Sequence, residues 1–84
     1  MKMNHRIQVS EIPQLGKAIR DERKARHLTQ TQLADIAGVS LNFVSQLESG
    51  KPRVQLDKVL AVMGALGLEL QIVFASSLSK ETKS

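Results

Sequence analysis

The chain contains no cysteine, no tryptophan, no tyrosine and only two phenylalanines among its 84 residues. Without cysteine, disulfides and thiolate metal sites are excluded. With so few aromatics, the core has to be built from Leu, Ile, Val, Met and Ala. Recognition of single strands or RNA by stacking bases on aromatic rings loses its usual instruments. No apolar run approaches the roughly 20 residues that a membrane-spanning helix needs. The opening Met1-Lys2-Met3-Asn4-His5-Arg6 carries charge with no apolar core behind it, so a cytoplasmic protein with no membrane partner is expected. The two histidines, His5 and His27, make no motif with Asp35 or Asp57. His27 reads as a helix-closing residue, where a basic group suits the C-terminal end of the dipole. Gly64 and Gly67 neither follow a strand nor open a loop onto phosphate. No catalytic residue, metal site or cofactor is expected, and the chain reads as a non-enzyme.

What is present is a basic balance: 12 Lys and Arg against 8 Asp and Glu, a net charge of +4. Such a surplus favours polyanionic partners without saying anything about fold. A hydrophobic content of 42% supports one small domain of the size that often leans on a partner for stability.

Residues 1–10 read as an arm or short strand, with Ile7 and Val9 on one side. Ser10 is a candidate N-cap, and Pro13 suits a first helical turn. Ile12, Leu15 and Ile19 recur at helical spacing beside Ala18 and Ala25. The charges from Arg20 to Arg26 cover the rest of that helix and read mainly as a solvated face. Thr29 and Gln32 form a capping box for a second helix, in which Leu33, Ala34 and Ala37 make a narrow apolar stripe. Gly38 supplies the left-handed turn that ends it, and Ser40 caps a third helix that stops before Gly50 and Pro52. Leu56, Val59, Leu60, Met63 and Leu66 mark a fourth helix closed by Gly67. The period then changes. Leu68, Leu70, Ile72 and Phe74 alternate with Glu69, Gln71 and Val73, a strand pattern over 68–74. A lone strand cannot satisfy its own backbone, so pairing across a homodimer is expected. Residues 75–84 are Ser-, Lys- and Thr-rich and read as a disordered tail.

Two short helices joined at Gly38, the second carrying a polar face, are the plan of a helix-turn-helix. Stepping the third helix by about 100° per residue puts Asn42, Ser45, Gln46 and Ser49 on one arc and Phe43, Val44 and Leu47 on the other. The polar arc has no carboxylate to repel phosphate. Its Asn and Gln are the side chains that bond adenine bidentately in the major groove.

Residues 15–70 resemble the phage-repressor or Xre-type helix-turn-helix family. The resemblance is carried by Leu28-Thr29-Gln30, Leu33-Ala34, Gly38-Val39-Ser40, Val44-Ser45, Leu47-Glu48 and Gly50-Lys51. It implies a mainly α fold: a lambda-repressor-like domain of four to five helices over 11–67, with the strand pairing in a dimer. It further implies sequence-specific binding of double-stranded DNA at a palindromic operator. Leu41, Asn42, Ser45 and Gln46 would read bases. Leu41 is either a thymine-methyl contact or packing, and Phe43 either core edge or base contact. Gln30 would hold a phosphate and brace the recognition helix, while Lys51 and Arg53 would lie near the backbone. Thr29, Ser40 and Ser49 join them as backbone contacts. Glu48 would pair with Arg23 to lock the recognition helix onto the body.

A finer resemblance, carried by Gly50-Lys51-Pro52-Arg53-Val54-Gln55-Leu56, the fourth helix and Leu68 to Phe74, is to HipB-type antitoxins. It implies a HipA-like kinase toxin as partner and repression of the operon encoding both. The other reading is a stand-alone transcriptional repressor whose macromolecular partners are DNA and itself.

Overall fold

The computed structural model describes residues 6–74. The expected tail over 75–84, and the first five residues of the arm, lie outside that range. Within it the chain forms four helices, α1 (Ile12–Ala25), α2 (Gln30–Ala37), α3 (Leu41–Glu48) and α4 (Leu56–Ala65).

Each start has a local cause. The N-cap of α1 is Glu11 and not the expected Ser10. The shift follows from Gln14, whose Oε1 reaches back to accept from the backbone N–H of Glu11 at 3.0 Å and from that of Ser10. Pro13 then falls in the first turn, where a missing N–H costs nothing. At α2 the Thr29 hydroxyl accepts from the Gln32 N–H at 3.0 Å, and Gln32 Oε1 accepts from the Thr29 N–H at 2.8 Å. Ser40 Oγ caps α3 by accepting from the Phe43 N–H at 3.0 Å.

All four helices end in the same way. A backbone N–H just past the helix returns to a carbonyl in its last turn: Leu28 to Arg23, Val39 to Ala34, Lys51 to Gln46 and Leu68 to Met63, at 2.8–3.1 Å. This closure needs one residue in the left-handed region. Glycine fills that place at Gly38, Gly50 and Gly67, whereas after α1 it is His27, with φ 59°. His27 therefore closes α1 through its backbone conformation.

The buried core is Ile19, Leu33, Ala34, Phe43, Val44, Leu47, Val59, Val62, Met63 and Leu66. It contains no aromatic ring except Phe43, as the composition requires, and each buried aliphatic side chain contributes about 1.5–3 kcal/mol. Two expected core residues of α4 lie outside it. Leu56 and Leu60 are exposed, and Val62 takes the inward place on the face shared with Val59, Met63 and Leu66. On α1, Gly16 lies against the end of α3, where an added Cβ would collide with the carbonyl oxygen of Leu47 and crowd that of Glu48. The two backbones touch there with no side chain between them.

The expected strand is a correction. Residues 68–74 are not a strand, and no strand occurs among the described residues. Of the four residues assigned to it, Leu68 packs on the core, but Leu70, Ile72 and Phe74 are exposed, the last two by 89% and 95%. The alternation pointed to a strand, but one chain offers it no neighbouring ladder: residues 6–9 are not a strand either.

Replacing His27 with glycine removes the steric cost of a side chain in the left-handed turn, about 1 kcal/mol. The His27→Gly variant is expected to melt several degrees above the parent by circular dichroism.

Candidate nucleic-acid interface

Helix α3 is positioned by its apolar side. Phe43, Val44 and Leu47 are buried, which turns Asn42, Ser45 and Ser49 to solvent and leaves Gln46 half-exposed. Leu41 is 47% exposed at the start of the helix, and Phe43 belongs to the core, with Lys58 Nζ 6.0 Å from its ring centroid. The solvent face of α3 is thus polar and free of carboxylates, because Glu48, the only acid on the helix, points inward.

Glu48 is held by three donors. Arg23 Nε donates to Glu48 Oε2 at 2.7 Å and Arg23 Nη2 to Oε1 at 3.0 Å, a bidentate pair between α1 and α3. Gln30 Nε2, from the first residue of α2, donates to Oε1 at 3.0 Å. The remaining arm of the guanidinium, Nη1, donates to the Leu28 carbonyl oxygen at 2.7 Å. The two charged side chains are 10% and 4% exposed, so the pair is screened less by salt than an exposed one. The Glu48 hydrogen bonds push the Arg23 pKa up against the opposing effect of burial. One carboxylate therefore ties together the three helices of the reading head, in the charge-assisted geometry that gives both strength and direction.

The other expected contact residues are placed as follows. Thr29 and Ser40 spend their hydroxyl oxygens as caps, and each still has an O–H to donate outward. Ser49 Oγ donates to the Gln46 carbonyl oxygen at 2.9 Å. Lys51 and Arg53 are exposed in the loop after α3. Gln30 is half-buried, and its amide nitrogen is committed to Glu48.

A helix-turn-helix family model matches residues 19–73, more than half of the chain. The protein belongs to the helix-turn-helix family. Its relatives include an uncharacterized HTH-type transcriptional regulator, y4mF, of Sinorhizobium fredii, 44% identical over 59 residues that cover 70% of this chain and 78% of that one. The immunity repressor protein of Bacillus phage phi105 is 37% identical over 71 residues, 83% of this chain and 49% of the repressor. The chain thus matches about half the length of that phage protein. Among solved structures, a chain of a HipB-O4 20mer complex superposes with a TM-score of 0.75 at 22% identity, covering 82% of this chain and 97% of that one. A chain of a HipA-HipB-O2-O3 complex gives 0.75 at 20% identity, with coverage of 82% and 97%. The fold is shared with HipB. Among the described residues no helix is long and apolar enough to cross a membrane.

Two features of this helix-turn-helix head were not legible as functional. Gly16 sits in the middle of an otherwise good helix pattern, and that breach of propensity was the available signal for a close backbone contact. The hydrogen bond from Arg23 to the Leu28 carbonyl had no signal, since it depends on the left-handed turn at His27.

Removing the Glu48 carboxylate leaves the Arg23 guanidinium buried without its counter-charge. Glu48→Ala is expected to lower unfolding stability by about 3 kcal/mol in urea titration, while the double change Arg23→Met with Glu48→Leu recovers most of it.

Proposed function

We propose that this protein is a sequence-specific DNA-binding transcriptional repressor that sits as a homodimer on a palindromic operator. The observation that carries this reading is the solvent face of α3: Asn42, Ser45 and Gln46 stand out from the domain, and the helix's one acid is turned inward and neutralised. Leu41, Asn42, Ser45 and Gln46 read base edges in the major groove. Asn42 and Gln46 do so through amides that match adenine, and Leu41 through apolar contact with a thymine methyl. Thr29, Gln30, Ser40, Ser49, Lys51 and Arg53 hold the flanking phosphates and set the register. Two copies would place their α3 helices in successive major grooves about 34 Å apart. The exposed apolar side chains of Leu70, Ile72 and Phe74 are the surface by which the copies meet. A cytoplasmic location follows from a partner of this kind.

The regulatory role is that of an antitoxin in a HipBA-like module, binding a HipA-like kinase toxin and repressing its own operon. Support comes from the HipB likeness over nearly the whole of those chains, one of them solved together with HipA. The stand-alone repressor is the second reading, favoured by the higher identity to a transcriptional regulator and a phage repressor.

Selection of preferred duplexes from a randomised pool gives the operator, and fluorescence anisotropy on that duplex tests the face. Gln46→Ala is expected to bind it about tenfold to a hundredfold more weakly, with discrimination lost at one base pair and dimer mass unchanged by light scattering. Unaltered discrimination would contradict the assignment of α3. Co-purification of the tagged protein from its own cells, followed by mass spectrometry, separates the two roles. A stoichiometric kinase-like partner is expected, and recovery of the protein alone beside an expressed neighbouring gene would favour the stand-alone repressor.

A further inference from the structure

Beside the reading face lies a groove of about 300 Å³ lined by Arg20, Arg23, Lys24, Gln30, Ser45, Glu48 and Ser49. It is formed where α1 lies down on α3. Gly16, Arg20 and Lys24 follow one another at four-residue steps along a single face of α1, and Gly16 is the point of backbone contact with Leu47 and Glu48. One and two turns further on, the same face delivers Arg20 and Lys24 to the rim of the groove.

The charges in the groove do not cancel. Arg23 and Glu48 neutralise each other, and Glu48 accepts a third hydrogen bond from Gln30. Arg20 and Lys24 are exposed, and among the described residues neither forms an ion pair. Their neighbour Asp21 is bonded to Lys17 at 2.7 Å, and that bond holds its carboxyl below the usual range. Three cations and one carboxylate line the groove, so among its lining residues positive charge exceeds negative by two. Beside these lie the Ser45 and Ser49 hydroxyls, which come from the helix that faces the bases.

We propose that Arg20 and Lys24 form a phosphate seat, a second backbone-gripping site on α1 that holds a phosphodiester of the same duplex α3 reads. This inference rests on the duplex-binding reading. A guanidinium fork and an ammonium one turn apart, with the Ser45 hydroxyl on the same groove, suit a phosphodiester oxygen pair and supply no base discrimination. The seat adds affinity and fixes the angle of α1 over the strand, and its contribution is paid out as released counterions.

The test is anisotropy of a fluorescein-labelled duplex of arbitrary sequence, measured from about 50 to about 200 mM salt. The wild type is compared with Arg20→Gln/Lys24→Gln and with Lys17→Gln/Arg26→Gln, which removes one Lys and one Arg charge from ion-paired positions on α1 and just past its end. The groove variant, with an unchanged melting temperature, is expected to flatten the slope of log K against log salt by about 1.8 per protomer, or about 3.6 for the bound homodimer, so that the wild-type dimer loses about a hundredfold more affinity across that range. The control variant keeps the wild-type slope. Equal slopes for the two variants would overturn the seat and leave only a diffuse field of charge, with the duplex-binding reading intact. If the wild type shows no salt-dependent binding to any duplex, that reading fails and the seat with it.

Discussion

The reading head depends on one carboxylate. Glu48 is the only acid on α3, the helix proposed to approach DNA, and the fold disposes of its charge by surrounding it with the Arg23 fork and the Gln30 amide. The arrangement solves two problems at once. It removes an acid from the exposed face of α3, and it uses the removed charge to fasten α3 to α1 and α2. An apolar residue at this place would fill the space, but it would not prescribe direction as a bidentate bond does. The burial of both partners keeps the tie effective at the ionic strengths where phosphate contacts weaken.

Much of this could be read from the residues because the controlling signals are local. Thr29 with Gln32, Ser40, and Gly38 each act within one turn, and each appears where its chemistry demands. The polar arc of α3 was legible because it is the complement of three buried residues on a short, regular helix. Where the reading failed, another contact competed, a local one at the start of α1 and a tertiary one on α4. Ser10 lost the N-cap to Glu11 because Gln14 could reach back. On α4, Leu56 and Leu60 have the spacing of core residues, yet the inward face is set by contact with α2 and selects Val59, Val62 and Met63 instead.

The segment 68–74 teaches the same lesson more sharply. Alternation reports that side chains divide into two sets, but a strand exists only with a partner for its backbone, and no pattern within one chain supplies that partner. Arg20 and Lys24 failed to stand out for the opposite reason. A run of charge along a helix is usually solvated, and only the crossing of α1 over α3 brings two of its members beside the polar face.

The clamp on α3 lies at the wrong end for comfort. Glu48 closes the helix, while Leu41 and Asn42 open it, and seven steps of about 1.5 Å put about 10 Å between anchor and tip. Over that lever a tilt of about 5° moves the tip by roughly 1 Å, enough to take a base-edge hydrogen bond out of range. The direct backbone contact at Gly16 is what denies the anchor this play, since no flexible side chain lies between the helices to yield. The approach of α3 to α1 at its anchored end is thus set by a hydrogen atom within another helix.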